Sequence, residues 1–125
     1  ELRTKQLLFV HNTYSKKQDI FDKYYYCTCP KANLYIENKL PDYSIFNLER
    51  LCVGTDSLAS NNSLSIWDEL LVIKKHTNFD TQTLLKIGCK NGAEALGFKD
   101  LGTFEKGKKP GVNLIRQTNK IEVIA

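Results

Sequence analysis

Apolar residues along the chain occur in short runs that are separated by polar segments. Each of these runs leads into a polar segment and then into a helical pattern, so the chain reads as three consecutive βα units. Such a repeat predicts an α/β fold with a parallel sheet and right-handed crossovers. The predicted strands, rich in residues that favour β-structure, are at 6–10, 24–28 and 51–53.

The segments between and after these strands carry helical signals. The clearest signal follows Ser65, a favourable N-cap, because Ile66, Leu70 and Ile73 recur at helical spacing. Gly97 is expected to end the last helix. In all, helices are predicted at 15–23, 44–49, 65–76, 80–87 and 91–97, a loop at 35–43, and two further strands at 112–115 and 121–124.

Two polar side chains directly follow predicted strands. His11 follows the first strand, and Asp56 follows the third after Gly54, which permits close approach of backbone or ligand. Ligands and catalytic groups collect at the carboxyl ends of parallel strands, so both residues are candidates for a functional site. Residue type alone leaves alternatives open, namely a hydrogen-bonded structural histidine and an aspartate that caps a helix or forms a turn.

Composition narrows the possible classes of function. The 125 residues form one domain or part of one, and 18 basic against 14 acidic residues give a mild net charge of +4. The lysines are spread over predicted helix and turn positions, where solvated charge is the ordinary outcome. A nucleic-acid binder with stacking tyrosines at 24–26 is disfavoured, because those tyrosines belong to a predicted buried strand.

The four cysteines, Cys27, Cys29, Cys52 and Cys89, show neither C-x-x-C spacing nor the pattern of a small secreted protein. They are predicted to be buried free thiols rather than metal ligands. Cys27 and Cys29 are separated by one residue, so both would face the same side of a strand. No apolar run reaches membrane length and no signal peptide is recognised, which predicts a reducing cytoplasm and no membrane contact.

The segment Gly54-Thr55-Asp56-Ser57-Leu58-Ala59-Ser60-Asn61 resembles the signature of metal-dependent amidohydrolases, in the branch of chlorohydrolases and nucleobase or nucleoside deaminases. Further segments are similar to the same family and follow the same order. They are a Pro-x-Ser-Asn loop at 30–33, in which Ala32 replaces the serine, an Asn-Gly-Ala pattern at 91–93, and a Gly-x-x-x-x-Gly-Lys turn at 102–108.

This resemblance implies a fold of which the chain would supply only the C-terminal part. The family has a TIM-like (β/α)8 barrel, about 250 residues long, beside a small β-sandwich. Residues 5–10, 24–28 and 51–53 would be the sixth, seventh and eighth barrel strands. The implied domains are residues 1–100, about the last three βα units of the barrel, and residues 101–125, a short β segment that returns to the sandwich.

The resemblance also implies metal-assisted hydrolysis of carbon–nitrogen bonds other than peptide bonds. Asp56 would bind one divalent metal, zinc or iron, and take a proton from the attacking water, while His11 would orient that water. Asn33 and Ser57 would contact the substrate, an amino-substituted heterocycle. The family's other metal ligands would lie upstream of Glu1, so the chain alone is expected to bind no metal and to be inactive.

Two further expectations depend on the barrel interpretation. Three strands taken from a barrel leave unpaired edges, which predicts self-association of the isolated chain. The alternative function is that of a catalytically dead relative used as a binding or scaffold module. The upstream His-x-His ligands would distinguish this alternative from an active hydrolase.

Overall fold

A three-stranded parallel sheet organises the fold. The structure is a computed structural model that describes residues 7–116 and 121–124. Register places Val10 opposite Cys27, and Cys27 opposite Cys52. The three predicted strands and their parallel pairing are confirmed, while Gln6, the predicted start of the first, lies outside the described residues. In sheet order the strands are β1 (Leu8–Val10), β2 (Tyr25–Thr28) and β3 (Leu51–Val53).

Helices follow the second and third strands, and the helical signals after residue 64 are confirmed. Ser65 caps its helix by accepting a hydrogen bond from the Asp68 amide at 3.2 Å, and Asp80 accepts one from the Thr83 amide at 2.8 Å. Gly97 has a φ of +76°, which suits a residue just beyond a helix end. The helices are α1 (Pro30–Glu37), α2 (Ile66–His76), α3 (Thr81–Leu85), a π-helical turn (Lys86–Lys90) and α4 (Asn91–Ala95).

Helix α1 occupies a segment that the sequence predicts to be a loop. Pro30 is its first residue, where a fixed φ and a missing N–H suit the helix. Cys29 offers no side-chain cap. Instead, the Lys31 amide donates to the Glu69 carboxylate at 2.8 Å. The loop prediction is wrong for the residues of α1 because the capping group comes from α2, at a distance in sequence that local patterns do not reach. Residues 38–42 form no helix or strand, as predicted.

Two other predicted helices are single turns of 3₁₀-helix. Within 15–23 the turn spans Lys17–Asp19, and Phe21 is exposed. In place of the helix predicted at 44–49, the turn spans Tyr43–Ile45. Both predictions are wrong because aspartate side chains close these turns. Asp19 accepts from the Lys16 amide at 2.8 Å, and Asp42 accepts from the Ser44 amide at 3.0 Å.

The apolar core lies on one side of the sheet, under the helices that follow β3. Leu51, Ile73 and Ile87 are at most 1% exposed. Tyr26 packs there too, with its ring centroid 5.4 Å from that of Phe46. The tyrosine strand is therefore buried, as the argument against a nucleic-acid binder expects.

The two edges of the sheet differ. At the β3 edge, the Asn91 amide nitrogen donates to the carbonyl oxygens of Leu48 and Leu51 at 2.8 and 2.6 Å. At the β1 edge, Leu8, Phe9 and Val10 are exposed, and no strand of the described residues pairs with the free side of β1. The first edge is thus covered by a side chain of α4, whereas the second is open.

A separate antiparallel hairpin follows the helical region. Its strands are β4 (Asn113–Ile115) and β5 (Ile121–Val123), so both predicted C-terminal strands are confirmed. The predicted division between residues 1–100 and 101–125 stays a prediction. Within the described part of the chain, no helix is long and apolar enough to span a bilayer.

Candidate active site

Sharp backbone turns place polar residues at the carboxyl ends of the strands. His11, Asn12 and Asp56 have φ values of 69°, 58° and 58°. Only a few per cent of non-glycine residues adopt this left-handed conformation, and Asn, Asp and His are the types that tolerate it best. The side chain of Asn12 supports the first turn by donating to the Phe9 carbonyl at 2.9 Å. The strand ends therefore carry strained residues, as functional sites often do.

Asn33 fixes the orientation of His11 through two hydrogen bonds. Its Oδ1 lies 2.7 Å from Nδ1 of His11, and its Nδ2 donates to the His11 carbonyl at 3.4 Å. Since Oδ1 is an acceptor, Nδ1 carries the hydrogen, which leaves Nε2 of the neutral ring as an acceptor. Asn33 is 1% exposed and uses both polar groups on His11. A direct contact between Asn33 and substrate stays a prediction.

His11 and Asp56 face each other at the carboxyl end of the sheet. Nε2 of His11 lies 3.9 Å from Oδ2 of Asp56, and their side chains are 41% and 32% exposed. That separation is too long for a hydrogen bond, so both groups can address a third polar molecule. The structure thus brings the two predicted catalytic residues together at one accessible point.

The loop after β3 orients Asp56. The Ser60 hydroxyl donates to Oδ2 of Asp56 at 2.8 Å, and the Asn61 amide donates to the Thr55 carbonyl at 2.7 Å. The Ser60 hydrogen bond holds the pKa of Asp56 below its ordinary value, and the Ser57 backbone N–H and His11 act in the same direction. Asp56 is therefore ionised at neutral pH. Ser57 itself is exposed beside Asp56, and its predicted substrate contact stays a prediction.

Three thiols lie on the face of the sheet opposite the helices. A side chain at Gly54 would come 3.1 Å from Sγ of Cys27 and 3.5 Å from Sγ of Cys29, so these sulfurs share one side. Burial adds to the Cys27 hydrogen bond in raising the pKa of Cys29, which is therefore a neutral thiol. Cys29 and Cys52 are buried as predicted, whereas Cys27 is half-buried and Cys89 is exposed. All four are free thiols.

The donor set of the described residues tests the implied metal. An exposed, ionised carboxylate at a strand end suits a divalent cation, so Asp56 fits as one ligand. Residues 7–116 and 121–124 contain no group of three or more His, Cys, Asp or Glu side chains that could hold a metal ion. Further ligands would have to come from outside these residues.

Sequence reasoning missed Glu69. Its carboxylate is fully buried and binds both the start of α1 and the loop after β3. A signal was present in the sequence, because Glu69 lies three residues after Ile66 and four before Ile73, within the apolar stripe of α2. A carboxylate in such a stripe needs hydrogen-bonding partners.

Comparison with known proteins points to one family. A sequence model of the amidohydrolase family matches residues 1–124. A 5-methylthioadenosine/S-adenosylhomocysteine deaminase of Halalkalibacterium halodurans is 33% identical over 91 residues, covering 64% of this chain and 20% of that protein.

Two solved structures are similar in fold. An aminofutalosine deaminase of Helicobacter pylori has a TM-score of 0.65 and 30% identity over 83% of this chain and 29% of its own. A zinc-bound adenosine deaminase of Xanthomonas campestris has a TM-score of 0.69 and 28% identity over 85% of this chain and 28% of its own. The chain spans about a fifth of the length of the curated relative described above.

Proposed function

The chain belongs to the amidohydrolase family, in its nucleobase and nucleoside deaminase branch, and on that premise we propose that it forms the C-terminal part of a metal-dependent nucleoside deaminase. In this proposal β1, β2 and β3 are the last three strands of a (β/α)8 barrel. The share of the relatives' length that the chain covers supports this, as does the open edge of β1, where a preceding strand would pair.

One observation carries the proposal, namely the His11–Asp56 pair at 3.9 Å above the carboxyl ends of parallel strands. Removing an amino group from a purine-like ring by hydrolysis requires a water that loses a proton as it attacks carbon. Nε2 of His11, in the tautomer that Asn33 selects, and the carboxylate of Asp56 both accept hydrogen bonds. One water can therefore donate a hydrogen to each, which fixes its position before attack.

Each residue then has a distinct part. Asp56, ionised at neutral pH, accepts the proton that the attacking water releases. His11 holds the water through Nε2, and Asn33 keeps the ring in the required tautomer. Asp56 would also be one ligand of a divalent cation, for which the zinc-bound relative favours zinc. When bound, such a cation lowers the pKa of water and polarises the carbon that is attacked.

The substrate proposed is a 6-aminopurine nucleoside. The relatives are named for 5-methylthioadenosine, S-adenosylhomocysteine, adenosine and aminofutalosine, and the aminofutalosine deaminase has been solved with methylthio-coformycin. Deamination is therefore favoured over chlorohydrolysis, which none of these names describes. The isolated chain is proposed to be inactive and free of metal, because Asp56 alone cannot hold a zinc site.

The test uses the full-length protein that carries this chain, with the isolated chain beside it. Bound metal is measured by elemental analysis, and ammonia release is followed with adenosine, 5-methylthioadenosine and S-adenosylhomocysteine. We expect one divalent metal per full-length molecule and ammonia release from at least one nucleoside, with neither in the isolated chain. A full-length protein that binds a nucleoside but releases no ammonia would contradict the proposal and favour the binding module.

A further inference from the structure

The carboxylate of Glu69 is completely buried, although it plays no part in the proposed chemistry. It lies in the first turns of α2 and is 0% exposed. Oε1 accepts a hydrogen bond from the side-chain amide of Asn61 at 2.6 Å, and Oε2 accepts one from the backbone amide of Lys31 at 2.8 Å. A buried carboxylate requires such partners, so the arrangement needs both oxygens.

The hydrogen bond between Asn61 and Glu69 connects Glu69 to the segment that carries Asp56. The same Asn61 amide nitrogen that contacts Glu69 also donates to the Thr55 carbonyl at 2.7 Å. That carbonyl belongs to the peptide unit preceding Asp56, whose φ of 58° must be held against its intrinsic preference. Glu69 fixes Asn61, and Asn61 fixes this peptide. The direction of the Asp56 carboxylate follows from it.

The hydrogen bond between the Lys31 amide and Glu69 connects Glu69 to α1, whose Asn33 contacts His11. The Lys31 amide is one of the unsatisfied N–H groups at the start of α1, and Glu69 satisfies it in place of a local cap. Asn33 lies in the same turn of α1 and holds the imidazole of His11. The position of α1 therefore sets the position of the ring.

We propose that Glu69 is a positioning residue that sets His11 and Asp56 relative to each other, by fixing the loop after β3 through Asn61 and the start of α1 through Lys31. This rests on the proposed function for its catalytic consequence. The two oxygens of this carboxylate bind the loop that carries Asp56 and the start of α1, from which Asn33 holds His11.

Glutamine provides the sharpest substitution. Glu69→Gln keeps the shape but replaces one oxygen by an NH2 group, which cannot accept a hydrogen bond, so one of the two contacts is lost. Asp68→Asn is the matched control, because Asp68 lies in the same turn and accepts only from the Ser63 hydroxyl at 2.9 Å among the contacts described. Asn61→Ala removes the link to the Thr55 carbonyl while leaving Glu69 in place.

In the full-length, metal-loaded protein, Glu69→Gln is expected to lower kcat about 10- to 100-fold while KM for 5-methylthioadenosine changes less than about 3-fold. Asn61→Ala is expected to give a similar loss. Asp68→Asn is expected to keep kcat within about 2-fold. A wild-type kcat in Glu69→Gln would overturn the proposal. If Glu69→Gln does not fold, Asn61→Ala decides alone, since a wild-type kcat there would also overturn it.

Hydrogen exchange separates this proposal from the proposed function. In Glu69→Gln, amides in whichever segment loses its acceptor, 54–61 or 31–33, are expected to exchange about tenfold faster, with the apolar core of α2 and β3 unchanged. If the wild-type protein releases no ammonia, the proposed deaminase fails. The positioning role of Glu69 then stands if either segment changes in exchange, and it is overturned if neither does.

Discussion

The helix-covered face of the sheet and its carboxyl end both contain fully buried side chains, but these are stabilised differently in the two regions. On the face, Leu51 and Ile73 are fully buried among other apolar side chains. At the carboxyl end, Asn33 and Glu69 are just as buried, and hydrogen bonds bind all their polar groups. Apolar packing depends on volume and is shared by many contacts, whereas each hydrogen bond at the carboxyl end depends on one partner. Changes to the face should therefore alter stability, and changes to the carboxyl end should alter chemistry.

The largest expected effect is on chemistry alone. Asp56→Asn in the full-length protein removes the proton acceptor, so kcat for nucleoside deamination should fall about 10²- to 10⁴-fold. The free energy of unfolding of the apo protein should change little, because the side chain is 32% exposed. Ammonia release and urea unfolding measure the two quantities. Asp100→Asn, an exposed carboxylate, is the control, and an equal loss of kcat there would refute the assignment.

A change in the apolar face should lower stability and leave kcat unchanged. Ile73→Ala removes a fully buried side chain, and the free energy of unfolding should fall by about 2–5 kcal/mol. The kcat of the remaining folded protein should stay at the wild-type value. Urea unfolding gives the first quantity and active-site titration the second. The exposed Leu96→Ala should change neither, and a loss of kcat in Ile73→Ala without loss of stability would break the comparison.

A smaller effect should come from Asn33→Leu, which keeps the volume but removes the oxygen that accepts from Nδ1 of His11. The tautomer and direction of the ring are then no longer fixed, so kcat should fall about 10- to 100-fold. Nitrogen NMR shifts of the imidazole report the tautomer directly. The exposed Asn78→Leu serves as control. An unchanged tautomer in Asn33→Leu would show that Asn33 does not select it.

The smallest expected effect is on the pH dependence of stability. Burial raises the pKa of Glu69, against the opposing Lys31 amide and Asn61 hydrogen bonds. Between the ordinary and the raised pKa, the folded protein binds a proton that the unfolded chain does not. Stability from this group is therefore present at low pH and lost as pH rises through that window. The urea midpoint, measured across this pH window, should fall with rising pH in the wild type and not in Glu69→Gln. The same pH dependence in both proteins would contradict this prediction.

The local patterns of the chain predicted the elements that depend on short-range signals. The three parallel strands, the Ser65 cap and the apolar stripe of α2 follow from residue type and period. The signals failed at α1, which begins without a local cap because Glu69, distant in sequence, provides one. They also failed at residues 15–23, where the local contact of Asp19 with the Lys16 amide closes a single turn in place of a helix.

The sequence by itself determined that His11 and Asp56 follow strands and that residues 54–61 resemble the amidohydrolase signature. Only the tertiary structure decided that Asn33 binds His11 and that Glu69 links the start of α1 to the loop after β3. The reason is physical. Strand and helix patterns arise from neighbours a few residues apart, whereas the bond between Asn33 and His11 and that between Lys31 and Glu69 join residues 22 and 38 positions apart, which only the packing of α1 and α2 on the sheet brings into contact.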